Sequence, residues 1–210
     1  MTQPRRALVV IDVQQDYFDG PLAVQHPDRD VAAANVAAAI DAAEAAGLPI
    51  VAVQHQLPAG APIFAEGSDG WRLHPGVAER ERPEWLRSTK TVASVFADEA
   101  LVAWLREREV DTVALVGFMT NNCVLGSAAA AEPLGLAVEV LSDATGAIHL
   151  SNEAGTVSAR QVHETLMVLL HSNFAAVSTT SAWSEAVAAS SPIAGSDLVT
   201  SAMQGAAAAA

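Results

Sequence analysis

The chain of 210 residues is poor in residue types that several functions require, and the scarcest is cysteine, which occurs once, at Cys123. A single cysteine excludes an internal disulfide and a zinc site built on paired cysteines, and it fits the cytoplasm. Basic residues are also few: 11 Lys and Arg oppose 24 Asp and Glu, which gives a net charge of −13. This charge argues against nucleic acid and anionic membranes as partners, because both attract clustered Lys and Arg.

Long hydrophobic runs and phosphate-binding motifs are missing as well. No segment approaches the roughly 18 uninterrupted apolar residues of a membrane span. Neither GxGxxG nor GxxxxGKS/T follows a predicted strand, so nucleotide binding has no support. The N-terminal stretch MTQPRRALVVIDVQQDYF is interrupted by Asp12 and Asp16 and has no small-residue cleavage site, so we expect a first strand there and not a signal peptide.

What the sequence does contain is a series of short apolar runs that alternate with helical patterns. Runs without polar alternation are typical of strands that are covered on both faces of a parallel sheet. We predict an α/β fold with a doubly wound, six-stranded parallel sheet, helices on both faces and a Rossmann-like topology. The predicted strands cover residues 7–13, 49–55, 88–90, 112–116, 137–141 and 174–177.

The predicted organisation is one domain followed by a tail. The domain covers residues 1–188, and residues 189–210, rich in Ala and Ser, are expected to form a flexible tail. Within the domain, residues 142–146 are predicted to be a loop and residues 155–171 the last long helix.

The cysteine lies in the stretch around which the chain is organised, TVALVGFMTNNCVL at residues 112–125. After the strand come Gly117 and three residues that favour turns and helix N-caps, and a helix follows from Val124 until Pro133 and Gly135 end it. Cys123 is therefore predicted in the first turn of a helix, where free N–H groups favour a thiolate and can hold an oxyanion. The alternative is a small buried apolar residue.

Two charged residues also follow predicted strands, Asp12 after the first and Lys90 at the end of the third. Ligands of open α/β sheets bind beyond the carboxyl ends of the strands, so both side chains are placed for chemistry beside Cys123. With a cysteine nucleophile, Asp12 would act as the base and Lys90 as the positive neighbour. The alternatives are an Asp that caps its loop and a Lys that is solvated.

The residues that would surround a bound substrate are less well defined by the sequence than the candidate catalytic residues. Residues 56–87 form a long segment rich in Pro and Gly, typical of a functional loop or lid, or else of a surface excursion with its aromatic side chains packed for stability. For the aromatic side chains among the candidates for substrate binding, packing in the hydrophobic core is an equally open alternative. His55 has no partner at ligand spacing, so no metal site and no cofactor are predicted. The candidates for substrate binding are Gln14, Phe18, Phe64, Trp71, Phe96 and Asn121.

Four motifs in order resemble the isochorismatase-like cysteine hydrolases, a superfamily that includes nicotinamidase, N-carbamoylsarcosine amidase, ureidoacrylate hydrolase and streptothricin hydrolase. The motifs, within residues 6–180, are VVIDVQQDYF at 9–18, STKTVASVF at 88–96, VGFMTNNCV at 116–124 and VLSDATGA at 140–147. The resemblance implies a catalytic triad of Asp12, Lys90 and Cys123. It also implies a cis peptide between Phe118 and Met119, and an oxyanion hole formed by the N–H groups of Met119 and Cys123.

The departures from the family pattern narrow the expected reaction. Nicotinamidases of the superfamily carry an Asp-x-His metal motif after the second strand, where this chain reads VAVQHQLP. The chain is therefore more similar to the metal-free amidohydrolase branch, with streptothricin hydrolase and N-carbamoylsarcosine amidase. Since isochorismatases often lack the cysteine, Cys123 favours hydrolysis of a C–N bond.

The resemblance and the site residues together predict a cytoplasmic amidohydrolase, a homo-oligomer (dimer or tetramer), that acts on a small molecule. It would cleave an amide, lactam or ureido C–N bond through a thioester on Cys123, with Asp12 as general acid and base. One alternative is an isochorismatase-type hydrolase of a vinyl ether, which would need Asp12 but not Cys123. The other is a catalytically silent family member that only binds a ligand.

Overall fold

A computed structural model describes residues 3–209 of the chain. Eight strands are present in this range: β1 (Arg6–Ile11), β2 (Ile50–His55), β3 (Leu86–Lys90), β4 (Thr112–Phe118), β5 (Ala137–Gly146), β6 (Leu150–Asn152), β7 (Gly155–Val157) and β8 (Ala176–Ser178). The α-helices are α1 (Arg29–Ala45), α2 (Pro75–Ala78), α3 (Glu99–Glu107), α4 (Leu125–Ala131), α5 (Ala159–Leu169), α6 (Thr180–Ala188) and α7 (Leu198–Ala208). None of the helices between residues 3 and 209 combines the length and hydropathy needed to cross a bilayer.

Six of the strands form one parallel sheet in the order β3-β2-β1-β4-β5-β8, which confirms the predicted fold. The chain builds the sheet outward in one direction from β1 to β3 and in the other from β4 to β8. The order reverses between β1 and β4, and in open α/β sheets ligands bind at the carboxyl ends of the strands beside such a reversal. We therefore expect the residues that follow β1 and β4 to form the ligand-binding site.

The sheet is covered on both faces by helices, as its continuous apolar strands require. Along β1, Leu8 and Val10 belong to one hydrophobic cluster, while Ala7, Val9 and Ile11 belong to a second cluster on the opposite face. The first cluster is completed by α1 and α6, through side chains such as Val36, Ile40 and Trp183. The second is completed by α3 and α4, through Leu101, Leu105 and Ala128.

Two predicted boundaries are wrong in the region after β4. Residues 142–146 are not a loop, because β5 continues to Gly146 after a register shift against β4. The last long helix begins at Ala159 and not at residue 155, since Gly155–Val157 pairs with β6 as a small antiparallel hairpin. The helix starts where it does because Ser158 and Gln161 form a capping box.

The tail after residue 188 also differs from the expectation, because it contains helix α7. Asp197 caps this helix by accepting a hydrogen bond from the N–H of Thr200, and alanine is the residue most favourable to helix. No residue of α7 is buried, so the helix adds little to the core of the domain.

A buried ion pair joins the two halves of the sheet. The guanidinium group of Arg6 on β1 donates to both carboxylate oxygens of Glu139 on β5, each at 2.8 Å, and to the carbonyl of Ser191 at 2.7 Å. The indole N–H of Trp183 donates to the same carboxylate at 2.8 Å. The bidentate geometry and the extra partners compensate for the loss of water around both charges.

The substitution Glu139→Ala tests this pair. We expect a loss of about 3–5 kcal/mol in the free energy of unfolding, because an uncompensated Arg6 charge stays buried. Urea unfolding measures the loss. The matched control is Asp41→Ala. It breaks the ion pair between Asp41 and Arg80, whose charged atoms lie 2.7 Å apart, and the Asp41 side chain is 57% exposed. That control should cost less than about 1 kcal/mol, and equal effects from both variants would contradict the assignment.

Candidate active site

The carboxyl ends of β1, β3 and β4 bring Asp12, Lys90 and Cys123 together, as the sequence predicts. The ammonium nitrogen of Lys90 lies 2.6 Å from Oδ2 of Asp12 and 3.2 Å from the sulfur of Cys123. Asp12 and Cys123 have no exposed surface, and Lys90 is 5% exposed. Lys90 is therefore not a solvated surface charge, and Asp12 is not a simple loop cap.

The backbone permits this approach at two special positions. Asp12 has a φ of 49°, in the left-handed region that Asp tolerates better than most residues, and it directly follows the last residue of β1. On the neighbouring strand Gly117 has a φ of 104°, and a Cβ atom there would lie 2.0 Å from the carbonyl oxygen of Ile11. Only glycine therefore lets β4 pass this close to the end of β1.

The nucleophile turn, residues 119–124, is held by side chains on two sides. Thr120–Val124 forms a single wide helical turn that leads into α4, and the Phe118–Met119 peptide is cis, as the family resemblance implies. The Ser127 hydroxyl donates to the carbonyl of Cys123 at 2.7 Å and accepts from the N–H of Val95 at 3.1 Å. On the other side, the Thr120 hydroxyl lies 3.0 Å from Nδ1 of the buried His163.

The electrostatics of the site differ from the expectation of a preformed thiolate. Burial, and then the charge of Asp12, raise the pKa of Cys123 from 9.0 to about 12, although Lys90 acts in the opposite direction. Burial also raises the pKa of Asp12 above 3.8, and Lys90 opposes this shift too. Burial and the Asp12 charge thus oppose the thiolate that the helix start is predicted to favour. At neutral pH the resting sulfur is therefore a thiol.

Two further side chains lie at the triad, and neither belongs to the predicted catalytic set. Nδ1 of His55 lies 3.2 Å from the Lys90 nitrogen. Tyr17 is 1% exposed, and burial, followed by the charges of Asp12 and Cys123, raises the pKa of its hydroxyl well above the ordinary value. No local pattern in the sequence marks Tyr17 for this place, because its proximity to the cysteine depends on the tertiary fold.

The site also contains a set of atoms that is able to ligate a metal. One ligand-type atom each from Asp12, His55 and Cys123 lie within 4.8 Å of one another. The Lys90 ammonium, however, lies within hydrogen-bonding distance of all three side chains. A metal ion bound by these atoms would have to displace it.

Gln14 and Phe18, two predicted substrate-binding residues, are structural in this fold. Gln14 has no exposed surface, and its amide donates to the carbonyls of His55 and Trp71 and accepts from the N–H of His55. Both of its N–H groups have partners within the fold, and substrate contact by Gln14 stays a prediction from the sequence. Phe18 stacks on His74, with ring centroids 4.2 Å apart, and belongs to the core under α1, which corresponds to the alternative of core packing.

The other four candidates lie in different surroundings. Phe64 is buried, with its ring centroid 5.2 Å from that of His55 and 5.1 Å from that of Tyr17, so it forms the wall next to the triad. Trp71 is half-buried, and its indole nitrogen has no hydrogen-bond partner within residues 3–209. Asn121 is half-buried within the nucleophile turn. Phe96, also half-buried, packs against the core on the α3 and α4 face.

The long segment 56–87 is attached to the residues that follow β1 along much of its length. The Asp16 carboxylate accepts from the N–H of Phe64 at 2.6 Å, and the N–H of Asp16 donates to the carbonyl of Gly70 at 3.0 Å. The N–H of Gln15 donates to Arg72, and that of His74 donates to the carbonyl of Val13. The segment is thus a wall built onto the Asp12 loop.

A cavity of about 370 Å³ lies beside the end of β3 and borders Lys90, one residue of the triad. Larger cavities of about 440 and 670 Å³ lie elsewhere on the domain and contain no triad residue, so they are less relevant to the chemistry. The lining of the smaller cavity includes Gln56, Lys90, Thr91, Val92, Asp98 and Glu99. Two of its lining residues, Asp98 and Glu99, are acidic, and Lys90 is the residue that it shares with the triad.

The fold and the site define a class: a doubly wound α/β protein with a buried aspartate, lysine and cysteine at the carboxyl edge of its sheet. Several known proteins are similar to the chain over most of its length. Residues 6–182 match the profile of the Isochorismatase domain family. The isochorismatase family protein YddQ of Bacillus subtilis (strain 168) is 30% identical over 179 residues, which cover 84% of this chain and 97% of YddQ. The chain therefore belongs to the isochorismatase family.

Two further relatives bear on structure and on activity. The crystal structure of a protein of Burkholderia xenovorans LB400, described as a candidate isochorismatase, has a TM-score of 0.94 and 44% identity and covers 98% of each chain. A streptothricin hydrolase of Streptomyces noursei is 33% identical over 142 residues, which cover 68% of this chain and 54% of that enzyme.

The charge coupling at the site is testable through the single cysteine. In Asp12→Asn, we expect the thiolate of Cys123 to form at lower pH than in the wild type, because the carboxylate charge that raises its pKa is gone. The measurement is the rate of alkylation by iodoacetamide as a function of pH, followed by intact-protein mass spectrometry.

Asp98→Asn is the control, since it removes a carboxylate that caps α3 and is not part of the triad. Its alkylation profile should match that of the wild type. A midpoint for Asp12→Asn that is unchanged, or shifted to higher pH, would contradict the coupling.

Proposed function

We propose that the protein is a cysteine hydrolase that cleaves an amide, lactam or ureido C–N bond of a small molecule through a thioester on Cys123. The observation that carries the proposal is the buried contact of Lys90 with both Asp12 and Cys123, at 2.6 and 3.2 Å. A buried thiol beside a carboxylate and an ammonium group has both a proton acceptor and a stabilising charge at hand.

In the first half of the proposed reaction the thiol proton moves to Asp12 as the sulfur attacks the substrate carbonyl. The raised pKa of Asp12 suits it to this task, because a stronger base accepts the proton of a weakly acidic thiol more readily. The N–H groups of Met119 and Cys123 would bind the oxyanion. The C–N bond then breaks, the leaving nitrogen takes the proton from Asp12, and a thioester remains.

In the second half a water molecule attacks the thioester and passes one proton to Asp12. The tetrahedral adduct releases the acid and the thiolate, and Asp12 returns its proton to the sulfur. The full burial of Asp12 and Cys123 supports this scheme, because exclusion of bulk water strengthens the interactions of the charged groups with the oxyanion.

Two polar atoms are available for the substrate or the attacking water. Oδ1 of Asp12 and Oδ1 of Asn121 are buried and have no hydrogen-bond partner among residues 3–209. Buried polar atoms are nearly always paired, so a bound group that donates hydrogen bonds fits both. An amide or ureido nitrogen is such a donor, and a vinyl ether is not.

The charge of the protein favours neutral or cationic substrates. The net charge is −13, the nearby cavity is lined in part by Asp98 and Glu99, and the wall beside the triad is the aromatic ring of Phe64. The name of the Streptomyces noursei relative, a streptothricin hydrolase, supports hydrolysis as the reaction class. A cytoplasmic location and a homo-oligomeric state stay predictions from the sequence.

The test is the release of ammonia or amine from a panel of amides, lactams and ureido acids, compared between the wild type and Cys123→Ala. We expect at least one substrate whose turnover falls by more than about 1,000-fold in the variant, because loss of a nucleophile removes the covalent route. A mass increase on Cys123 during turnover, and its removal by hydroxylamine, would identify the thioester.

Two outcomes would replace the proposal. Turnover of isochorismate that survives in Cys123→Ala but is lost in Asp12→Asn would favour hydrolysis of a vinyl ether. No turnover of any compound by the wild type, together with saturable binding of one of them, would favour a catalytically silent binding protein.

A further inference from the structure

The Lys90 ammonium group has one neighbour more than the proposed triad requires. Its nitrogen lies 2.6 Å from Oδ2 of Asp12, 3.2 Å from the Cys123 sulfur and 3.2 Å from Nδ1 of His55. A lysine ammonium carries three N–H donors and no acceptor. The three neighbours therefore match the three donors, and the ammonium orientation is fully determined only when His55 is included.

His55 is itself held firmly in place. It pairs with Lys90 in the parallel register of β2 and β3, and Gln14 binds both its backbone N–H (2.8 Å) and its carbonyl (3.0 Å). The Phe64 ring lies against the imidazole, with centroids 5.2 Å apart. A fully buried glutamine and an aromatic wall thus fix the position from which Nδ1 faces Lys90.

The protonation state of His55 suits an acceptor. Burial, and then the charge of Lys90, lower its pKa from 6.5 to about 4, so the ring is neutral at physiological pH. A neutral imidazole has one N–H and one acceptor nitrogen. Because Nδ1 faces a group that can only donate, Nδ1 is the acceptor and the proton is on Nε2.

We propose that His55 is a positioning residue for the cysteine hydrolysis described above: its Nδ1 holds the Lys90 ammonium between Asp12 and Cys123. The inference rests on the proposed function. Without this third acceptor the ammonium keeps its 2.6 Å contact with Asp12 but is free to move away from the sulfur. The loss of positive charge beside the sulfur disfavours the thiolate.

The alternative role for His55 is that of a metal ligand together with Asp12 and Cys123. That role requires the same Nδ1 or its neighbour Nε2 to bind a cation, and the Lys90 ammonium would have to leave. The two roles make opposite demands on Lys90, so a test can separate them.

The test uses three variants of His55. His55→Asn keeps an acceptor atom at the same number of bonds from the backbone as Nδ1, His55→Gln moves it one bond further, and His55→Leu removes it. We expect His55→Asn to keep kcat within about threefold of the wild type. His55→Gln and His55→Leu should lower kcat about 10–100-fold, the range seen for outer partners of reactive groups, with KM changed less than about twofold.

A second readout does not depend on knowing the substrate. The pH profile of iodoacetamide alkylation at Cys123 should shift to higher pH in His55→Leu and stay near the wild-type profile in His55→Asn. A change that affects only access to the buried cysteine would alter the rate at every pH and leave the midpoint in place. In a Lys90→Met background, His55→Leu should cause no further shift, because the ammonium it positions is absent.

The outcomes separate the inference from the proposed function. If no amide or ureido compound is turned over but the alkylation profile shifts as described, the proposed function fails and the positioning role stands. An unshifted profile in His55→Leu, or an Asn variant as impaired as the Leu variant, would overturn the inference. Activity that is lost on treatment with a chelator and restored by Zn²⁺ would also overturn it, in favour of a metal ligand.

Discussion

The buried pair of Asp12 and Lys90 is the interaction on which the site depends. Two opposite charges with 0% and 5% exposure are costly to desolvate, and their 2.6 Å contact offsets that cost only while the strand ends stay in place. The parallel sheet supplies this constraint, since β1, β3 and β4 all end at the same edge. Cys123 lies beside this fixed pair of charges. Its pKa therefore depends on burial and on Asp12 and Lys90 more than on the start of its own helix.

The surrounding polar network maintains that environment. Gln14 and Asp16 use backbone groups of β2 and of segment 56–87 as partners, which turns a long irregular segment into a fixed wall. Ser127 and His163 secure the nucleophile turn from the two opposite sides. Each of these side chains is buried and polar, and each has a hydrogen-bond partner that does not itself react in the proposed hydrolysis. The reacting atoms can therefore change charge without a change in the frame around them.

Within the isochorismatase family, this chain holds its positive charge at the site through a lysine with three partners. The atoms of Asp12, His55 and Cys123 are close enough to ligate a cation, and the Lys90 ammonium lies among them. A protein-borne cation is fixed in number and position, whereas a metal is bound at equilibrium. The proposed positioning role for His55 follows from this arrangement, since an ammonium with three donors is defined best by three acceptors.

The sequence alone predicted a six-stranded parallel sheet and the three residues that meet at its edge. Apolar runs without polar alternation are typical of buried strands, and charged or nucleophilic residues directly after such strands gather at one edge when the strands are parallel. Those inferences depend on local pattern and on topology, and the structure agrees with them for Asp12, Lys90 and Cys123.

Only the tertiary structure decided the protonation of Cys123, the roles of Gln14 and Phe18, and the contacts of His55 and Tyr17. Each depends on burial and on partners far away in the chain, such as the carbonyl of Trp71 for Gln14 or the Lys90 ammonium for His55. A helix start favours a thiolate locally, yet desolvation and the Asp12 charge reverse that preference in the folded protein. Local pattern contains no measure of desolvation, and for this reason the chemistry of the site was decided by the fold.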